Sequence, residues 1–227
     1  MVVTLACLLA SLTAGGQQQS VKPGINDEYE HNVDADRYEK QFESQGREAY
    51  DRRDDIVRAL KLRPGMNVAD IGTGTGLFVP FFSAGVGAGG RVYAVDISKE
   101  FVEHVKSKAE HLGLKNVETV LCTDRSVELP PESIDLAFLC DVYHHFEYPR
   151  DSLASIRNAL RPGGGLVVVD YQREPGKTPD WRMTHVRAGK AQVKTEIEAA
   201  GFEQVEDLNL LRDNYFVRFR KPLPAAR

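Results

Sequence analysis

The sequence predicts an α/β fold: a doubly wound, mainly parallel sheet of seven strands with helices on both faces. Three observations predict it. Short apolar runs alternate with amphipathic segments of helical period along most of the chain, the pattern of a layered domain built from βα units. The first apolar run, Asn67–Ile71, opens onto three glycines at alternate positions, Gly72, Gly74 and Gly76. Without a Cβ these permit a tight turn and bring the N–H groups of the next helix against a ligand. The last two runs, 202–208 and 215–220, are joined by a short polar loop at Arg212-Asp-Asn214, which makes a closing hairpin.

A chain of 227 residues accommodates one substantial domain. The net charge is −4 and no long basic run occurs, which argues against electrostatic capture of nucleic acid. Residues 2–12 are apolar and lead into Thr13-Ala-Gly-Gly16. The run is too short to span a bilayer stably and resembles a secretory signal peptide with its small-residue cleavage site. Residues 1–16 are therefore expected to be an export signal, cut near Gly15 or Gly16, and the mature protein periplasmic or extracellular. A cytoplasmic protein with an apolar tail is the alternative. Of three cysteines, Cys7 leaves with the signal, and Cys122 and Cys140 sit at predicted strands as small buried apolar residues. Neither a disulfide nor a metal site is expected.

Residues 17–34 are polar and read as a linker, so the domain occupies 35–221. Residues 35–50 are charged with scattered aromatics, Tyr38, Phe42 and Tyr50, and predict one or two amphipathic helices. Residues 51–62 continue helically through Ile56, Val57 and Leu60 until Arg63-Pro-Gly65 stops them. After the glycine turn a helix over 77–84 carries Pro80, tolerable only in its first turn. Arg91–Asp96 is the second strand. A helix over 99–112 presents Phe101, Val102, Val105 and Ala109 on one face. Strands over 116–122 and 133–139 follow, then a helix over 149–160. Arg161-Pro-Gly-Gly-Gly165 turns into 166–170, a strand apolar enough to be buried on both faces. A helix over 190–200 ends at Gly201.

The glycine loop reads G-x-G-x-G with Asp70 two residues ahead, whereas a dinucleotide fingerprint reads G-x-G-x-x-G. This spelling resembles motif I of the class I S-adenosylmethionine (SAM) methyltransferases. The turn at 161–165 resembles the turn before strand five in that family, and Leu139-Cys-Asp-Val-Tyr-His-His-Phe146 corresponds to its motif IV. The resemblance covers about 57–221 and implies that the last strand runs antiparallel. It implies SAM as cofactor, with Asp70 reaching the methionine end over the loop of Gly72, Thr73, Gly74 and Gly76. Asp96 lies about twenty residues beyond the loop, the offset of a carboxylate that binds ribose hydroxyls. A helix cap is the competing reading, a role Ser98 serves equally well. Ile97 follows Asp96 at this site. By the same resemblance Asp124 receives the adenine amino group and the N–H of Arg125 contacts the ring.

On the acceptor side the candidates are Asp141, Tyr143, His144 and His145. Imidazole titrates near neutrality, so either histidine can serve as general base toward a thiol or hydroxyl. Adjacent histidines are expected to point one into the pocket and one away from it. Asp170, Tyr171 and Arg173 follow strand five on the same face. Trp181, His185 and Arg187 lie in an insertion and read as solvated loop residues. The string Leu139-Cys-Asp-Val142 is not the [DNS]-P-P-[YFW] of amino-methylating DNA or glutamine enzymes, and too few cysteines remain for arsenite methylation. The reading is methyl transfer from SAM to a small-molecule thiol, hydroxyl or amine, with a lipid acceptor also open. A non-catalytic SAM-binding protein and a NAD-dependent oxidoreductase on a related fold are the alternatives.

Overall fold

The computed structural model describes residues 16–224; all but the last residue of the expected signal segment 1–16 lie outside them. The chain runs through α1 (Asp27–Glu30), α2 (Ala35–Phe42), α3 (Glu48–Asp51), α4 (Arg53–Leu60), β1 (Asn67–Ile71), α5 (Val79–Val86), β2 (Arg91–Asp96), α6 (Lys99–His111), β3 (Val117–Leu121) and β4 (Ile134–Cys140). A 3-10 turn (Tyr143–His145) leads to α7 (Pro149–Ala159), β5 (Leu160–Tyr171), α8 (Asp180–His185), α9 (Lys190–Ala199), β6 (Glu203–Leu208) and β7 (Asn214–Arg220). The sheet has seven strands in the order β3-β2-β1-β4-β5-β7-β6. Strands β1 to β5 pair in parallel, and β7 lies antiparallel between β5 and β6. The expected fold class is the one observed.

Strand order reverses direction between β1 and β4, and the crevice at that switch point is where this architecture receives ligands. Alternation along the central strands builds a core on each face. Leu136, Phe138, Val167 and Val169 join Ile56 and Phe82 on one side; Ala137, Leu139, Leu166 and Val168 join Ile156 and Phe219 on the other. Rings of Phe78 and Phe82 meet Phe138 edge-on at centroid distances of 5.0 and 5.3 Å. Each such fully buried side chain contributes roughly 1.5–3 kcal/mol, which fixes β4 and so fixes where its carboxyl end delivers motif IV. Pro80 does sit in the first turn of α5, and Ser98 caps α6 by accepting from the Phe101 N–H.

Three expectations need correction. The segment 17–34 is not a free linker. The Gln17 N–H donates to Asp151, Val21 N–H to the Glu147 carbonyl, Asn26 Nδ2 to the His145 carbonyl, and Lys22 to the Thr184 carbonyl. Its polar side chains are hydrogen-bond partners of the domain, which a hydropathy reading takes for solvation. The glycines of 163–165 lie within the long β5 rather than before it, since Gly165 pairs with Leu136 and Arg220. The insertion after β5 contains α8.

Candidate active site

The glycine loop is stitched to the end of β2. Gly72 and Thr73 N–H groups both donate to the Val95 carbonyl, at 2.8 and 3.0 Å. Gly74 N–H donates to Asp96 Oδ2 at 2.8 Å, while Asp96 Oδ1 accepts from Ser98 N–H at 2.9 Å. Gly72, Gly74 and Gly76 have φ of 68, 53 and 78°, the left-handed region that side chains disfavour. A Cβ on Gly72 would lie 2.4 Å from a Val142 methyl, so the loop also passes directly over the segment after β4.

Asp70 and Asp96 are both almost fully buried. Asp70 accepts from the Thr73 hydroxyl at 2.9 Å, and no described residue pairs with it as a cation. Burial pushes its carboxyl up to about 7, the Thr73 hydrogen bond opposing and the Asp96 charge assisting. Burial likewise raises Asp96 to about 6, against the pull of its backbone donors. Two buried acids beside the glycine loop form a place that a cationic, hydroxyl-bearing ligand completes. Ionised carboxylates retain lone pairs for further donors. SAM, with its ammonium, sulfonium and ribose hydroxyls, fits this set of acceptors.

A cavity of about 920 Å³ extends from this loop past Ile97 and Asp124 to the residues after β4, a size at the upper end of small-molecule sites. The cover comes from the N-terminal helices. A Cβ on Gly74 would lie 3.6 Å from the Phe42 ring, and Tyr38 and Phe42 pack on Phe101. Lys108 of α6 binds Glu39 and Glu43 at 2.7 and 2.8 Å, tying down α2. The helices of residues 35–50 thus lie against the rim of the cavity.

Both His144 and His145 line the same cavity. The expectation that one turns away fails because the pair occupies a 3-10 turn, which brings the rings to 4.3 Å, tilted by 44°. His144 Nδ1 lies 2.7 Å from Asp170 Oδ1, and its backbone N–H donates to Asp170 Oδ2. His185, expected in a solvated loop, closes α8 beside them, its Nε2 3.4 Å from His145 Nε2. Burial, with the neighbouring His144 and His185 charges, holds His145 well below the usual imidazole range.

Other predicted residues are placed elsewhere. Tyr143 is fully buried and donates to Glu196 Oε2 at 2.8 Å; it is absent from the cavity lining. Arg187 is not solvated either, holding Glu196 through both oxygens at 3.0 and 2.9 Å. Arg125 N–H is directed to Thr123 Oγ1 at 3.3 Å, and its guanidinium pairs with Asp151 while stacking on Tyr148. Gly76 sits under α6, where a Cβ would reach Val105. Arg173 donates to the Met183 carbonyl. Asp141 does line the cavity, at φ 56°. Cys122 and Cys140 are half-buried and border the cavity as free thiols, with burial pushing both up. Arg47, missed in the sequence, enters the cavity from the cover and binds Asp141. Its only signal is its place among the aromatics of 35–50.

Comparison with known proteins agrees with this geometry. A family described as methyltransferase domain matches residues 69–168. An uncharacterized 37.1 kDa transposon protein of Streptomyces fradiae is 36% identical over 126 residues, 56% of this chain and 34% of that protein. The ubiquinone/menaquinone biosynthesis C-methyltransferase UbiE of Bordetella parapertussis is 29% identical over 112 residues, 49% of this chain and 43% of the relative. The chain thus spans less than half the length of these two relatives. The crystal structure of a SAM-dependent methyltransferase from Aquifex aeolicus superposes with a TM-score of 0.73 at 27% identity, covering 84% of this chain and all of that one. Glycine loop, twin buried acids, sheet order and relatives converge: residues 69–168 match a methyltransferase domain, and the chain is similar in sequence and fold to S-adenosylmethionine-dependent methyltransferases.

Proposed function

We propose that this chain transfers a methyl group from SAM to a small molecule bearing a thiol, hydroxyl or amine. The observation that carries the reading is one continuous cavity lined both by Asp70, the glycine loop and Asp96 and by the Asp170-held His144. In this reading Asp96 accepts from the ribose hydroxyls, Asp70 faces the methionine end and Asp124 receives the adenine amino group. The cofactor supplies an electrophilic methyl and a thioether leaving group. The chain's own residues must align the acceptor and exclude water. Phe42, Tyr29 and Phe101 supply apolar cover. Asp170 fixes Nδ1 of His144, which leaves Nε2 to take the acceptor's proton. A lipid with one of these groups at its head fits the same chemistry. Among described residues no helix is long and apolar enough to cross a membrane.

We also read residues 1–16 as an export signal, on the apolar run and small residues at its end. Gln17 N–H lies 2.8 Å from Asp151 Oδ1, so cleavage after Gly16 would set a free ammonium against a carboxylate. N-terminal sequencing of the protein recovered from outside the cytoplasm checks this.

The test supplies SAM with a labelled methyl group and a panel of small thiols, catechols, amines and lipid extract. Label appearing in one class, and lost in Asp96→Ala, is the expected result. SAM binding with no transfer to any acceptor favours the binding-protein alternative. Nicotinamide cofactor binding tighter than SAM binding overturns the reading altogether.

A further inference from the structure

We propose that His144, His145 and His185 bind a first-row divalent cation of the zinc type in the acceptor half of the cavity. One ligating nitrogen from each ring lies within 4.8 Å of the other two. One edge, Nε2 of His145 to Nε2 of His185, is 3.4 Å. A tetrahedral ion with metal–nitrogen bonds of about 2.05 Å spaces its ligands by about 3.3 Å, so that edge already has coordination length. No edge exceeds 4.8 Å, so none must contract by more than about 1.5 Å, within the reach of side-chain rotation.

The surroundings match what a metal-binding imidazole needs. His144 directs Nδ1 to Asp170 Oδ1 at 2.7 Å, with both side chains almost fully buried. That carboxylate fixes the tautomer and turns Nε2 outward, as the carboxylate behind a zinc-bound histidine does. His145 and His185 are held through their own turns by the N-terminal segment. Asn26 donates to the His145 carbonyl at 3.1 Å and Lys22 to the His185 carbonyl at 2.5 Å. The three rings come from two segments forty positions apart, so only the folded chain assembles the site.

The donor set selects the ion. Three neutral nitrogens with no carboxylate or thiolate suit zinc, cobalt, nickel or copper and not magnesium or calcium. Three protein ligands leave a fourth position open, the arrangement of catalytic zinc. All three rings border the cavity, so that position opens toward the acceptor. The consequence rests on the methyl-transfer reading, although ion binding itself does not. An acceptor thiol or hydroxyl would bind as its anion, its proton leaving to solvent. The new sulfur–carbon or oxygen–carbon bond would form as the sulfonium–methyl bond breaks, the electron pair staying on the departing sulfur. An amine would surrender its nucleophilic lone pair to the ion, so this site narrows the acceptor to a thiol or hydroxyl. With the ion bound, His144 acts as ligand instead of base.

The full chain, stripped with a chelator, is titrated with cobalt(II) by visible absorption and with zinc by calorimetry. SAM binding is measured separately on the same preparation. The expected result is one equivalent per chain with the intense visible bands of a four- or five-coordinate cobalt. His185→Ala and His145→Ala should each weaken binding at least about 100-fold with the circular dichroism of the fold retained. His111→Ala, on the exposed end of α6, should leave it intact. Wild-type affinity no better than that of His185→Ala, or loss in His111→Ala instead, overturns the proposal. Absence of SAM binding would strike the cofactor reading alone.

Discussion

Arg47 Nη2 lies 2.7 Å from Asp141 Oδ2, joining the helical cover to the turn after β4 across 94 positions of sequence. The same guanidinium donates to the Phe42 carbonyl at 3.0 Å, and Asn214 Nδ2 donates to the other Asp141 oxygen at 2.5 Å. Asp141 stands at φ 56°, a conformation that aspartate tolerates better than most residues. Charge and backbone geometry therefore agree at one point, which anchors the cover to the acceptor side of the cavity.

Arg47→Ala should loosen that anchor. It removes a charge-assisted hydrogen bond from a largely buried carboxylate, a loss of about 1.5–3 kcal/mol. Urea unfolding reads the stability change, and hydrogen exchange reads where it acts. Protection should fall across 35–51 while β1 and β4 stay protected. Equal protection in 35–51 of wild type and variant would show that the aromatic contacts alone hold the cover.

A second prediction concerns Gly72. Alanine there meets two separate penalties. The left-handed backbone disfavours a Cβ by roughly 1–2 kcal/mol, and the new methyl would stand 2.4 Å from Val142 Cγ2. Gly72→Ala should be destabilising by more than the backbone term alone. Adding Val142→Ala should return the overlap part and leave the backbone part. Additive single-variant losses in a double-mutant cycle would show that the loop relaxes away from Val142 without resistance.

The grouping of the glycine loop with Asp70 and Asp96 was legible in the sequence because it is local. Asp70, Gly72, Thr73 and Gly74 share one turn, and Asp96 ends the next strand, so spacing alone brings them together. The acceptor half depends on contacts between distant segments. His185 meets His145 only once α8 folds back over the turn after β4, and Asp170 reaches His144 from the neighbouring strand. Tyr143 misled for a related reason. A residue between cavity-lining neighbours can face either way, and the 3-10 turn sends its ring into the core beside Glu196. Polar character also hid the packing of 17–34, whose hydrogen bonds run to residues more than a hundred positions away.

Stability should depend on pH through Asp70 and Asp96. Burial raises both in the folded state, to about 7 and about 6, above the value of about 3.9 for an unfolded aspartate. The folded chain therefore binds more protons than the unfolded chain between roughly pH 4 and 7. Their contribution favours folding below pH 4 and is lost as pH rises through 6 and 7. Asp70→Asn should flatten the decline of the ligand-free melting temperature between pH 5 and 8. SAM, whose ammonium and hydroxyls favour the ionised acids, should stabilise more at pH 8 than at pH 5. A melting temperature of Asp70→Asn that follows the wild-type pH profile would refute the assignment.

Tyr143→Phe separates packing from catalysis at motif IV. The hydroxyl donates to Glu196 Oε2 at 2.8 Å, and Arg187 binds that same carboxylate while its guanidinium lies 5.2 Å from the Tyr143 ring. Removing the hydroxyl deletes one hydrogen bond from a carboxylate that keeps its arginine. The expected loss is about 1 kcal/mol of stability, read by urea unfolding. SAM affinity and kcat/KM for the acceptor should stay within about twofold, because Tyr143 is buried and is not among the residues that line the cavity. A tenfold fall in kcat with unchanged stability would place Tyr143 against the reacting atoms, and the ring would then have to leave the core during turnover.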